Sequence, residues 1–289
     1  MIRLATRSSP LAIWQAEHVA GLLRDAHPGL EVTLVRTDTV GDRRLDVPIS
    51  EIGGKGVFAT EVQRLVLEGS ADAAVHSAKD LPAVTDEGLA LLAVPERGDP
   101  RDALVGSTLD GLASGAVVAT GSQRRRVQLA ALRPDLEFVE LRGNMATRLG
   151  KVPAGGAIVV AAVALERLGL ADRIDEVLAA DLLIPQVGQA ALAVEGRAGD
   201  AATAEVLAAV EHAPSRLRVD AERAFLAELG GDCDLPAGAH ATLVDDDRIH
   251  VRALLASDDG TVHVQEASGP LAEADALAAA LARDLRTLT

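Results

Sequence analysis

The stretch PERGDPRD, residues 95–102, decides how the chain is divided. Its two prolines, its glycine and its run of charges interrupt apolar segments on either side, as a connection does and an element interior does not. Upstream, residues 2–6, 31–37, 71–75 and 89–94 read as strands, and 10–25 and 57–67 show helical periodicity. Downstream the same order resumes. Residues 116–119, 138–141 and 157–162 read as strands, and 122–132 and 144–149 as helices; the last strand runs on into the apolar 165–168. Such alternation predicts βαβ units and a mostly parallel sheet in each half. A second break, IPQVGQAA at 184–191, is placed to carry the chain back. Two crossings between two α/β domains predict a cleft with the ligand between lobes. From about Pro214 the pattern changes to two helix signals, strands near 239–244, 248–256 and 261–267, and an Ala/Leu helix at 271–287. That grouping predicts a small α+β domain with an antiparallel sheet.

Composition narrows the function. The chain has 289 residues, a net charge of −15, 48% hydrophobic residues and 1% aromatic ones, enough for aliphatic cores but not for stacking surfaces. Few rings and an acidic balance argue against nucleic-acid binding. No run of about 18 apolar residues suggests a membrane helix. The opening MIRLATRSSPLAIWQ, broken by Arg7, Ser8, Ser9 and Pro10, does not read as an export signal. A single cysteine, Cys233, excludes an internal disulfide, and a cytoplasmic protein is expected. One cysteine and seven scattered histidines lack metal-ligand spacing.

Against this acidic background the segment 119–148 carries six arginines and three acids. Three arginines, Arg124, Arg125 and Arg126, follow the turn ATGS, in which Ser122 reads as a helix N-cap. Cations there oppose the helix dipole, whereas the free N–H groups favour an anion. Arg142 and Arg148 flank a second strand-to-helix turn at Gly143 and Asn144. Guanidinium forks match carboxylate or phosphate oxygens, so a polyanionic small molecule is one reading and ion pairs with acids elsewhere are the other. Only three lysines occur, Lys55 in IGGKG, Lys79 in VHSAKD, and Lys151. The first two read as sites needing a compact ammonium. Asp80, beside Lys79, could act as a general acid/base or stabilise a cation; a helix cap is the plainer alternative. Phe58 reads as a core residue or a lid ring, His76 as packing, and Cys233, between Gly, Asp and Pro, as an accessible thiol.

Taken in order, LATRSSPLAIWQAE, GGKGVF, ADAAVHSAKDLP, DPRDALV, SQRRRVQL with RPDL, LRGNMATRL, ALERLGL and GGDCDLPAGAHA resemble the porphobilinogen deaminase family over essentially the whole chain. The fold this resemblance implies is α/β, two periplasmic-binding-protein-like lobes around a cleft plus a small C-terminal α+β domain with an antiparallel sheet. The implied domains are 1–96 with 189–211, 97–188, and 212–289. The implied activity is that of a hydroxymethylbilane synthase, which joins four porphobilinogen molecules head to tail with release of ammonia and hydrolyses off the linear tetrapyrrole. The implied cofactor is a dipyrromethane, bound by a thioether to Cys233. Asp80 becomes the catalytic carboxylate, stabilising the azafulvene cation left when ammonia departs. Ser77, Lys79, Asp80, Ser122, Arg124, Arg125 and Arg142 are the implied cofactor contacts. Arg7, Ser9, Lys55, Phe58, Arg142, Arg148, Arg167 and Gln189 are the implied substrate contacts. Arg124 and Arg125 are expected to face the cleft and grip carboxylates, and Arg126 to face solvent or a neighbouring acid. A monomer binding porphobilinogen, without nucleic acid, membrane or metal, completes the expectation. The sequence departs from the family pattern at Gly121 and Gln123 in the arginine turn, at Ala190 in a Gly-Gln-Gly loop, and at Asp232 beside the cysteine. A two-lobed receptor for a small anion would share the architecture, but it would not require Cys233 on a Gly-rich loop.

Overall fold

The computed structural model describes residues 1–38, 59–230 and 235–289. The chain divides into two compact units, Met1–Gly98 with Ala190–Val219, and Asp99–Gln189 with Asp220–Thr289.

In the first unit, β1 (Ile2–Arg7), β2 (Val32–Thr37), β3 (Ala73–Ser77), β4 (Leu89–Ala93) and β10 (Leu192–Arg197) form one sheet in the order β2-β1-β3-β10-β4. Successive side chains on a strand point to opposite faces. Leu4, Val75 and Val194 accordingly pack with Ala16, Val19 and Leu23 of α1 (Pro10–Ala26), while Ala5 and Ala74 pack with Val62 and Val66 of α2 (Thr60–Leu67). Both faces are covered, so Leu4–Ala5 and Ala73–Val75 are unbroken apolar runs rather than alternating ones.

The second unit repeats the plan with β5 (Asp102–Val105), β6 (Val117–Ala119), β7 (Glu137–Val139), β8 (Ala157–Ala161) and β9 (Glu176–Leu178) in the order β7-β6-β8-β5-β9. Leu104, Val118 and Val159 meet Leu129 of α3 (Gln123–Leu132) on one face. Val105, Ala119 and Val160 meet Leu165 of α5 (Ala162–Arg167) on the other, near Leu149 of α4 (Met145–Leu149).

The expectation of mostly parallel sheets holds for direction, since four of the five strands in each sheet run the same way, but one strand in each runs against them. In each sheet two pairings are parallel (β1 with β2 and β3; β6 with β7 and β8) and two are antiparallel. The antiparallel pairings all involve β10 or β5, the first strand after each crossing. Neither enters its sheet through a βαβ crossover helix, so the handedness that makes such strands parallel does not act on them. β5 itself is wholly buried and too short to show a period, which is why the sequence pattern concealed it.

After α6 (Ala201–Leu207), the two helix signals near Pro214 form one helix, α7 (Ala213–Leu229). An antiparallel meander of β11 (Ala237–Leu243), β12 (Arg248–Ala256) and β13 (Val262–Pro270) follows. It is closed by α8 (Ala274–Arg286), whose buried stripe is Ala274, Ala278, Leu281, Ala282 and Leu285. Together these elements make an α/β fold with a C-terminal antiparallel sheet.

Candidate active site

In the first unit the parallel neighbours β1 and β3 end side by side. Carboxyl ends of parallel strands are where α/β sheets present ligand-binding groups. β1 ends on Arg7, and β3 ends on Ser77 and turns directly into the short 3-10 segment Ala78–Asp80. Ala78 N–H donates to the Ala191 carbonyl, which ties that turn to the start of β10. Arg7 Nη1 lies 3.6 Å from Asp80 Oδ2, with the two side chains 20% and 30% exposed. The pair is therefore loose and open on one side. Ser77 makes no side-chain capping bond there, so its hydroxyl is not spent on the turn. Lys79 is half-buried in the same turn. Ser9, by contrast, caps α1, its Oγ accepting from Ala12 N–H at 3.3 Å. His76 is buried, with Nε2 3.3 Å from Glu195 Oε2, and the same oxygen accepts from Gln63 Nε2 at 2.8 Å.

In the second unit, Ser122 caps α3 as its position predicted, its Oγ accepting from Arg125 N–H. Arg126 is exposed, as expected. Arg124 and Arg125 are 2% and 6% exposed and converge on Asp102, which is fully buried. Arg124 Nη2 donates to Asp102 Oδ2 at 2.7 Å, and Arg125 Nη2 and Nε donate to Oδ1 at 2.8 and 3.1 Å. Gln189 Nε2 adds a donation to the same Oδ1 at 2.8 Å and another to the Pro100 carbonyl at 2.6 Å. Two separate cations standing open to a ligand are thus not what the fold builds. Adjacent guanidiniums repel, and burying them requires a carboxylate between them. That carboxylate is not one of the many surface acids. Burial alone would raise the Asp102 pKa, but the charges of Arg124 and Arg125 outweigh it and hold the carboxyl well below its ordinary 3.8. Burial pushes the Arg124 pKa down, and Asp102 opposes that shift. Arg124 Nε has no hydrogen-bond partner among the described residues.

The parallel trio β7-β6-β8 brings further predicted residues to one end of this sheet. Ser122 follows β6, while Arg142, half-buried, follows β7. The two turns touch: a Cβ on Gly121 would lie 2.8 Å from the Leu141 carbonyl oxygen. Gly143 adopts φ +117°, which a side chain would strain, and its carbonyl accepts from Arg148 Nε at 2.7 Å. Arg167 ends α5, which follows β8; burial lowers its pKa to about 10, partly offset by Glu166. Lys55, Phe58 and Cys233 lie outside the described residues. Asp102 was missed in the sequence, although an acid opening a wholly apolar strand, DALV, was the available signal.

Among the described residues no group of three or more His, Cys, Asp or Glu side chains is placed to hold a metal ion, and no helix is long and apolar enough to cross a membrane. The fold and its strand ends define an α/β protein whose chemistry suits a polyanionic small molecule. The family model described as "Porphobilinogen deaminase, dipyromethane cofactor binding domain" matches residues 2–205, and that of the "Porphobilinogen deaminase, C-terminal domain" matches residues 216–287. The chain belongs to the porphobilinogen deaminase family. Its function is that of a hydroxymethylbilane synthase in tetrapyrrole biosynthesis, condensing porphobilinogen head to tail with release of ammonia. Distant likenesses exist among solved structures. A methionine-bound nutrient binding protein from Burkholderia cenocepacia is 13% identical, over 72% of this chain and 90% of its own, with a TM-score of 0.44. The reduced OxyR regulatory domain from Pseudomonas aeruginosa is 16% identical, over 72% and 94%, at 0.41. The periplasmic aliphatic sulphonate binding protein of Escherichia coli is 15% identical, over 77% and 68%, at 0.40.

Proposed function

We propose that Asp80 is the carboxylate that serves each condensation and that Cys233 carries the dipyrromethane through a thioether. The observation that carries this reading is the Arg7–Asp80 pair, a half-exposed carboxylate held by one cation at the ends of two neighbouring parallel strands. A carboxylate so placed accepts a pyrrole N–H, stabilises the cation left on the substrate's methylene carbon as ammonia departs, and takes up a proton afterwards. One carboxylate suffices, because each condensation repeats the same charge change.

The described residues fit a dipyrromethane. The strand ends offer hydroxyls and guanidiniums, and the Asp102 cluster keeps one net positive charge and an N–H in search of an acceptor. When bound, that group supplies the ring to which incoming pyrroles are added. Ser77, Lys79, Ser122, Arg142 and the Arg124–Arg125 pair hold its acetate and propionate groups. Arg7, Lys55, Arg148 and Arg167 hold those of porphobilinogen, with Ser9, Phe58 and Gln189 as further substrate contacts. Each carboxylate is matched by a fork or a point charge, which orients the pyrrole before reaction.

The working form is a cytoplasmic monomer with domains at 1–96 with 189–211, 97–188, and 212–289. It does not bind nucleic acid, consistent with the net charge of −15 and the 1% aromatic content. The test is to expose the purified protein to porphobilinogen, follow ammonia, and take intact and peptide masses. Addition of two pyrrole units on the Cys233 peptide is expected. Ammonia release without that addition would leave the activity and remove Cys233 as the attachment point.

A further inference from the structure

We propose that Asp102 is a positioning residue for the reaction: it locks Arg124 and Arg125 into a single anion-binding unit whose excess charge receives one carboxylate of the dipyrromethane. This rests on the reading above that the two arginines are carboxylate ligands. Asp102 is itself no reacting group. Its two oxygens are taken by two guanidiniums and the Gln189 amide, and it is fully buried.

Two features separate this cluster from a plain buried ion pair. A structural pair balances its charge, whereas here, among the described residues, two cations share one anion, and a net charge away from water is costly unless another anion arrives. The second feature is Arg124 Nε, a buried donor with no acceptor among the described residues, where nearly all such donors find one. Both call for an acceptor of negative charge from outside the cluster.

The network around Asp102 also reaches the C-terminal sheet. Gln189 bonds Asp102, and its neighbour Gly188 donates its N–H to Glu222 Oε2 at 2.8 Å. Glu222, fully buried in α7, accepts from the Ala241 N–H of β11 at 3.0 Å through its other oxygen. Gly238 of β11 lies so close that a Cβ there would sit 3.0 Å from Arg124 Cδ and 2.7 Å from the Pro185 carbonyl oxygen. The arginine pair and the strand after Cys233 are thereby held in one register. Asp102 contacts both guanidiniums and the Gln189 amide.

The experiment compares the parent, Asp102→Asn and Arg125→Gln, each as the full chain, for porphobilinogen KM and kcat, two-pyrrole mass addition and melting temperature. Asp102→Asn keeps the shape and removes the charge. Because porphobilinogen must meet the dipyrromethane that the arginines seat, the positioning role predicts slower appearance of the two-pyrrole mass and a porphobilinogen KM raised by about tenfold, with kcat nearly unchanged. A purely structural Asp102 would lower the melting temperature and leave KM and loading at parental values; that result overturns the proposal. If Asp102→Asn does not fold, Asp102→Asn with Arg125→Gln restores the cluster to a single excess charge. Its KM is expected to exceed that of Arg125→Gln alone, because Arg124 has lost its anchor, and equality overturns the proposal. Should Arg125→Gln alone behave as the parent, the assignment of the arginines falls, and this inference with it. A raised KM in Arg125→Gln beside a parental KM in Asp102→Asn removes only the inference.

Discussion

Two of the molecule's arginine–aspartate arrangements are built to opposite specifications. Arg7 and Asp80 stand 3.6 Å apart, 20% and 30% exposed, at the open ends of two strands. Asp102 and its arginines are almost wholly buried, with contacts of 2.7–3.1 Å and one charge left over. An exposed, loose pair contributes little to folding but leaves a carboxylate able to meet a reacting group. A buried, tight cluster cannot react, yet it fixes where two cations sit. On the roles proposed above, reactivity and placement fall to different aspartates.

The sharpest way to break this contrast is Asp80→Asn. Turnover is expected to fall by about a thousandfold, within the range for a lost general acid/base, while melting stays near parental; near-normal ammonia release would remove Asp80 from the chemistry. Next come the stabilities. Asp102→Asn leaves two buried guanidiniums uncompensated and is expected to cost about 3 kcal/mol, whereas Arg7→Gln is expected to cost less than about 1 kcal/mol. Urea midpoints measure both, and equal losses would erase the distinction. Gly238→Ala tests the close approach of β11 to Arg124. The added methyl meets a backbone oxygen that cannot step aside, so a loss of about 2 kcal/mol is expected in the same assay. Smallest is Ala190→Gly. Ala190 holds φ +70°, the one non-glycine residue with positive φ among those described, in the segment that carries Gln189 to Asp102. Relief of that strain, less the entropy glycine adds to the unfolded chain, is expected to stabilise by about 0.5 kcal/mol. A loss instead would mean that the methyl packs usefully.

Much of the first unit was legible in the sequence because its signals are local. Pro10 and Ser9 start α1, a period of 3.6 carries it, and the short buried run 71–75 that leads into HSAKD reads as a strand. The Ser122 cap was legible for the same reason, and so were the positions of Asp80 and the arginine turn. The direction of β5 and β10 was not legible, because it depends on how the chain returns to a sheet rather than on residues within the strand. Nor was the fate of Arg124 and Arg125. Helical spacing indicates that neighbouring side chains diverge by about 100°, which implied at most two facing one pocket but not what waits there.

By itself, then, the sequence determined the alternation of elements, the two crossings, the caps, and the shortlist of charged and hydroxyl side chains at strand ends. All are encoded over a few residues by capping, periodicity and turn chemistry. Only the tertiary structure decided which aspartate is open and which is enclosed. Asp102 lies 22 residues from Arg124 and 87 from Gln189. Their meeting is a consequence of antiparallel pairing by a buried strand, and burial and charge balance are properties of that meeting, not of any residue alone.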